Sequence, residues 1–115
     1  MNFGNLKMYI DGKLVSSANN KTKDIISPLN DEKIANLSWG SDKDSVRALK
    51  SAKKGFELWS NTPVEVRKKW MLLFRSKILE NEEILRKSIS YEMGKPYAAT
   101  GEDIESITNL SLIHI

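Results

Sequence analysis

Ser41-Asp42-Lys43-Asp44-Ser45-Val46-Arg47-Ala48-Leu49-Lys50-Ser51-Ala52-Lys53-Lys54-Gly55-Phe56-Glu57-Leu58-Trp59 is the stretch on which the chain changes its grammar. Ser41 reads as a helix N-cap, with Asp44 three residues on in the reciprocal capping position. Val46, Leu49, Ala52, Phe56 and Trp59 recur at steps of three or four, which makes one apolar stripe along a helix. Gly55 interrupts that stripe and costs about 1 kcal/mol against alanine. It is therefore expected where a neighbour packs closely. Everything before Ser41 alternates or turns, and everything after Trp59 repeats with a helical period.

Upstream, Met8-Tyr9-Ile10 and Lys13-Leu14-Val15 flank Asp11-Gly12. An Asp-Gly pair between short apolar runs predicts a hairpin with a type I′ turn, because both central positions need positive φ. Ser16 to Lys23 is polar and reads as a loop. Asp24-Ile25-Ile26-Ser27-Pro28 reads as a strand stopped by proline, which cannot donate to a ladder. Leu29-Asn30-Asp31-Glu32 is a turn, and Lys33 to Trp39 alternates as a further strand closed by Gly40.

Downstream, Thr62 reads as an N-cap, Pro63 as the first helical residue and Glu65 as the partner of a capping box. The buried face of this second helix is expected to carry Val66, Trp70, Leu73, Phe74 and Ile78. At Asn81-Glu82-Glu83 the pattern bends or restarts, and a third helix follows through Ile84, Leu85 and Ile89 to about Met93. Gly94 supplies the left-handed terminal residue and Pro96 prevents continuation. A fourth helix opens at Thr100, with Glu102 and Asp103 in its first turn and Ile104, Ile107 and Leu110 behind. Ser111-Leu112-Ile113-His114-Ile115 has no cap or stop residue. No linker divides the strands from the helices, so the two halves read as one folding unit.

Composition narrows the chemistry. The 115 residues are 40% hydrophobic and 29% charged, and the net charge is only +3. That is ordinary globular composition, and a chain of this length buries roughly two-thirds of its unfolded surface. The small excess argues against nucleic-acid partners, and no stretch approaches the ~20 apolar residues of a membrane span. Without a signal-peptide core at the N-terminus, the expected address is the cytoplasm. There is no cysteine and one histidine, His114, so cysteine-ligated metals and a thiol nucleophile are excluded within these residues.

The remaining candidates have plain structural readings. Gly94-Lys95 follows a helix rather than a strand and reads as a terminator with an exposed lysine. Glu82-Glu83 and Glu102-Asp103 sit in first turns, where they complement the helix dipole. Arg67, Lys68, Lys69, Arg75 and Lys77 give the second helix a basic side. Trp70 and Phe74 fall on the opposite stripe, which reads as core rather than as a base-stacking platform. Trp39, Trp59 and Trp70 read as packing anchors, and His114 as a bystander.

The order of landmarks resembles the N-terminal portion of the aldehyde dehydrogenase superfamily, from about Met8 to Leu110. Tyr9-Ile10-Asp11-Gly12-Lys13 is similar to the family's opening hairpin, and Ser27-Pro28-Leu29-Asn30-Asp31-Glu32-Lys33-Ile34 to its "N-P-x-T-G-E-x-I" turn. Gly55-Phe56-x-x-Trp59, with Thr62-Pro63-x-x-x-Arg67 after it, resembles the "A-F-x-x-W" helix pair and its arginine. Glu92-Met93-Gly94-Lys95-Pro96, followed by Gly101-Glu102, resembles "E-x-G-K-P" and the next helix start. Tyr91-Glu92-Met93-Gly94-Lys95-Pro96 is most similar to the succinate-semialdehyde type.

The resemblance implies an α/β parent fold with a Rossmann-type cofactor domain. Residues 1–115 would be its N-terminal part, an α+β fragment with a β-hairpin region over 1–40, about four helices over 41–110 and a truncated or aberrant tail at 111–115. It implies NAD or NADP as cofactor, a small-molecule aldehyde as substrate, and a homodimeric or homotetrameric parent. In the family a cysteine thiolate forms a thiohemiacetal, gives up hydride to the cofactor and leaves a thioester. No catalytic or cofactor-binding residue carries over, since no position here matches those motifs.

One site does carry over. The family resemblance implies a structural monovalent cation held by the carbonyls of Ile25 and Ile26 and by Glu92. Ser27 stands where the family usually has asparagine. A carboxylate at a helix C-terminus is unfavourable without a counter-charge, although Glu92 also reads simply as the end of its helix. The chain alone is expected to be inactive and poorly soluble, because its stripes would lack the sheet they cover. The other reading is a stand-alone helical binding or regulatory module without catalysis, its stripes closed by dimerisation or by a partner.

Overall fold

A computed structural model describes the backbone of residues 1–113 and the side chains of residues 1–109. The reading of His114 falls outside the described residues. Among the described residues five strands are followed by four α-helices, and the chain divides into two compact units, Met1–Asn61 and the residues from Thr62 onward. The division does not fall where strands give way to helices. The first helix belongs with the strands.

In the first unit, β2 (Met8–Ile10) and β3 (Lys13–Val15) form the expected hairpin, with Met8 opposite Val15 and Ile10 opposite Lys13. Asp11 and Gly12 both have positive φ, 54° and 73°, as the type I′ turn demands. A separate three-stranded sheet has the order β1-β5-β4, with β1 at Asn5–Leu6, β4 at Thr22–Ile26 and β5 at Lys33–Ser38. β5 is central, parallel to β1 and antiparallel to β4. Two residues of β1 show no alternation, so the sequence pattern did not announce that strand. β4 begins at Thr22, which shortens the polar loop read over Ser16–Lys23.

The β4–β5 ladder slips once. Ile25 faces Ala35 while Ile26 faces Lys33, which leaves Ile34 as the extra residue of a bulge. Ile34 is buried, and its carbonyl accepts the Phe3 N–H at 2.7 Å on the other side of the strand. The turn after β4 closes through Ser27 N–H to the Glu32 carbonyl at 2.8 Å and Asp31 N–H to the Ser27 carbonyl at 3.0 Å. β5 stops at Ser38, so Trp39 lies just beyond the strand. Its N–H still reaches the Lys21 carbonyl at 2.8 Å.

Helix α1 spans Asp42–Ser60 behind Ser41, as the capping pattern predicts. α2 (Val64–Glu80) starts one residue later than read. Pro63 takes the cap position, and its carbonyl accepts the N–H groups of Val66 and Arg67, both at 3.0 Å. Glu65 is thereby the second helical residue rather than the third. Asn81 separates α2 from α3 (Glu82–Met93), which ends on Gly94 at φ 75°. Tyr97–Thr100 forms a short 3₁₀ turn, and α4 runs from Gly101 to Ile113. Thr100 belongs to that turn rather than to the fourth helix, and the residues 111–113 read as a tail continue α4.

The helix stripes are where packing departs from the sequence reading. Among the described residues the buried apolar side chains are Ile10, Ile34, Ala35 and Ile104. Leu49 and Phe56 on α1 are 72% and 68% exposed, and Trp70 and Phe74 on α2 are 58% and 56% exposed. Val46, Val66 and Leu73 are exposed too, Ile78 is half-buried, and the three tryptophans are not packing anchors here. A Cβ built on Gly55 meets nothing within 4 Å, so no close neighbour explains that glycine. Short strands offer too little surface to cover the 19-residue α1, and its stripe stays open.

Candidate functional site

Asp44 organises the first unit. As the third residue of α1, its Oδ2 accepts the Ser41 N–H at 2.9 Å and the Ser41 hydroxyl at 2.7 Å. The same carboxylate reaches across to the loop after β3. It accepts the Ala18 N–H at 3.0 Å on Oδ2 and the Ser17 hydroxyl at 3.1 Å. Asp44 and Ser17 are both 3% exposed. The Ser41 backbone and side-chain donors, with Ala18 after them, hold the carboxyl well below the ordinary aspartate range against the opposing effect of burial. A capping pair is legible in sequence. The hold on Ser17 and Ala18, 26 to 27 residues away, is not.

Arg86 plays the corresponding part in the second unit. From α3 its Nε donates to Thr100 Oγ1 at 3.1 Å and its Nη2 to the Tyr97 carbonyl at 3.1 Å. Nη1 pairs with Glu82 one turn earlier at 3.4 Å, and the guanidinium lies 4.6 Å from the Tyr97 ring centroid. Arg86 thus pins the 3₁₀ turn to α3 through a planar fork that lysine lacks. The carboxylates at the start of α3 are engaged as i,i+4 pairs, Glu82 with Arg86 and Glu83 with Lys87. Lys95 is not the free exposed lysine expected. It pairs with Asp103 of α4 at 2.7 Å and is 28% exposed.

The residues implied as cation ligands are placed as follows. Ile25 and Ile26 sit together at the slip of the β4–β5 ladder, and Glu92 is the exposed penultimate residue of α3. Two carbonyls and a carboxylate are hard oxygen donors, which fit an alkali cation rather than a transition metal. No cluster of three or more His, Cys, Asp or Glu side chains suited to a metal occurs among the described residues.

A cavity of about 400 Å³ lies on α1 beside the hairpin turn. Lys43, Arg47, Lys50 and Lys54 line it, with Asp11 and Ser51. In the sequence the basic side of α2, with Arg67, Lys68, Lys69, Arg75 and Lys77, is the more conspicuous. The α1 cations follow the same helical period as the apolar stripe, so the signal was there to find. On α2 the Nε atoms of Arg67 and Arg75 are buried without a hydrogen-bond partner among the described residues. No described helix is long and apolar enough to cross a membrane.

An α+β chain of this strand order and helix order has close counterparts. The sequence profile of the aldehyde dehydrogenase family matches residues 14–113. The chain is 34% identical over 107 residues to malonate-semialdehyde dehydrogenase 2 of Oceanobacillus iheyensis, covering 92% of this chain and 22% of the relative. It is 33% identical to a probable methylmalonate-semialdehyde/malonate-semialdehyde dehydrogenase [acylating] of Drosophila melanogaster, covering 85% and 19%. Among solved structures, a point mutant of betaine aldehyde dehydrogenase from Staphylococcus aureus in complex with NAD+ superposes with a TM-score of 0.87 at 36% identity, over 93% of this chain and 22% of that one. An NAD-dependent aldehyde dehydrogenase from Sinorhizobium meliloti gives 0.86 at 27% identity, over 93% and 23%. The chain belongs to the aldehyde dehydrogenase family. It spans about a fifth of the length of these relatives, over their N-terminal portion.

Proposed function

We propose that these 115 residues are the N-terminal part of the cofactor-binding domain of an NAD(P)-dependent aldehyde dehydrogenase whose catalytic residues lie outside them. The single observation that carries this reading is the open state of the helix stripes in a chain that otherwise follows the family fold. Phe56, Trp70 and Phe74 remain more than half exposed in helices that match the family over residues 14–113. Faces of that size call for a covering layer, and the 107 matched residues are only 22% of the malonate-semialdehyde dehydrogenase relative. The buried unpartnered Nε atoms of Arg67 and Arg75 call for further partners as well.

In this reading the whole enzyme oxidises an aldehyde to a carboxylic acid, NAD(P)+ taking the hydride from a cysteine-bound thiohemiacetal. The present residues contribute no step of that chemistry, since they include no cysteine. Their part is structural: the Asp44 clamp fixes the first unit and the Arg86 fork the second. The substrate is an aldehyde of the semialdehyde class, the whole enzyme a homodimer or homotetramer, and its compartment the cytoplasm.

The experiment is to sequence the gene beyond codon 110 and to assay the 115-residue chain for NADH formation from aldehydes. The reading expects a family-like continuation carrying a cysteine, and no turnover by the chain itself. Turnover by the isolated chain, or a genuine stop codon with stable 115-residue protein in cells, would overturn it. In the same reading, the Ile25 and Ile26 carbonyls and Glu92 are ligands of a structural monovalent cation. Replacing potassium by tetramethylammonium should then lower the melting temperature of the whole enzyme, and Glu92→Gln should remove that difference.

A further inference from the structure

The cavity on α1 concentrates charge that neither the Asp44 clamp nor the Arg86 fork uses. Lys43, Arg47, Lys50 and Lys54 stand at intervals of four, three and four residues. On an α-helix that spacing puts all four within an arc of roughly 60° and over a length of about 16 Å. Against them the wall carries one acid, Asp11, whose Oδ1 takes the Ser51 hydroxyl at 3.4 Å. Four cations less one anion leave +3 on the cavity, equal to the net charge of the entire chain. None of the four pairs with a carboxylate among the described residues, whereas Lys33, Lys77, Arg86, Lys87 and Lys95 all do. Natural helices usually relieve a run of like charges with an acid one turn away. Here Lys43, Arg47, Lys50 and Lys54 are mostly one another's neighbours; the acids one turn away are Asp44, whose carboxylate is held by Ser41, Ser17 and Ala18, and Glu57, beyond Lys54.

We propose that this cavity binds a small polyphosphate, a diphosphate- or triphosphate-bearing molecule laid along α1. The volume, about 400 Å³, suits a small ligand rather than a single phosphate. Four cations along one line match an extended row of phosphoryl oxygens, and Arg47 near the middle can grip one phosphoryl group in bidentate fashion. Val46 gives the same wall an apolar spot for an organic substituent. The hairpin turn, fixed by positive φ at Asp11 and Gly12, closes one side of the site. The lining residues all lie on α1 and the hairpin turn, and the proposed function gives none of them a part in aldehyde oxidation.

The test is titration of the 115-residue chain, held below the concentration at which its open stripes associate, with inorganic pyrophosphate and tripolyphosphate near physiological ionic strength, followed by calorimetry and by backbone amide shifts. Saturable binding of one anion is expected, with shifts confined to Asp11 and to residues 43–54. The double variant Arg47→Gln, Lys50→Gln should weaken binding by about tenfold or more. Lys68→Gln, Lys69→Gln, which removes the same net charge from α2, should weaken it by less than about twofold. Binding that never saturates, shifts spread over the surface, or equal losses in the two double variants would overturn the site. The shifts of the unmodified chain decide the matter even if a variant fails to fold.

Discussion

Asp44 shows how much one side chain can hold when its donors come from two directions. The carboxylate caps its own helix through Ser41 and fastens the loop at Ser17 and Ala18 to it. Asp44→Ala should release both, lowering the melting temperature of the chain by roughly 5 °C or more. The pH dependence follows from the direction of the shift. The folded-state pKa lies below the unfolded value, so the contribution is fully present above about pH 4 and is lost as pH falls from there through the folded pKa. Acid titration of the unmodified chain should show this loss, and Asp44→Asn should flatten it.

Gly55 makes the opposite case at the same scale. Nothing lies within 4 Å of a Cβ built there, and its helix is otherwise regular. Gly55→Ala should therefore stabilise the isolated chain by about 0.5–1 kcal/mol, read from a denaturant midpoint. If the longer enzyme packs a neighbour on this face, the same change should destabilise that protein while still stabilising the chain alone. A gain in both settings would detach Gly55 from any packing role.

At the scale of elements, the 3₁₀ turn Tyr97–Thr100 depends on an arginine eleven to fourteen residues earlier. Arg86 supplies donors to Tyr97 and Thr100 and covers the Tyr97 ring. Arg86→Ala should cost about 2 kcal/mol, since it removes charge-assisted bonds and leaves Thr100, fully buried, with one partner fewer. Arg86→Lys should recover less than half of that loss, because an ammonium cannot serve two acceptors in one plane. Amide exchange over residues 97–101 would report the change directly. By contrast the exposed pairs Lys77–Glu80 and Asp24–Lys33 should be nearly neutral on deletion.

For the whole molecule, the governing fact is apolar surface left open on helices of both units. Leu49 and Phe56 on α1, and Trp70 and Phe74 on α2, are each more than half exposed. The isolated chain should associate with rising concentration and bind a hydrophobic dye. Leu49→Gln, Phe56→Gln should reduce association in sedimentation without lowering the melting temperature by more than about 2 °C, because neither side chain is buried. A monodisperse, dye-silent wild-type chain would show that the stripes are matched internally after all.

The sequence by itself determined what local chemistry controls. The Asp-Gly hairpin, the Ser41–Asp44 cap, the break at Asn81 and the Gly94 terminator each follow from the φ a residue allows or the hydrogen bond a short side chain can make. The order of motifs, at their spacing, also settled the family. Tertiary structure alone decided the rest. It paired β1 with β5 and placed the slip at Ile34. It also gathered Ser17 and Ala18 around Asp44, and Tyr97 and Thr100 around Arg86. A periodic stripe says only that a face is apolar and not that anything covers it, so the exposure of Phe56 and Trp70 could be seen only once every neighbour within reach was in place. Burial is a property of the surroundings a residue acquires on folding, whereas propensity is a property of the residue.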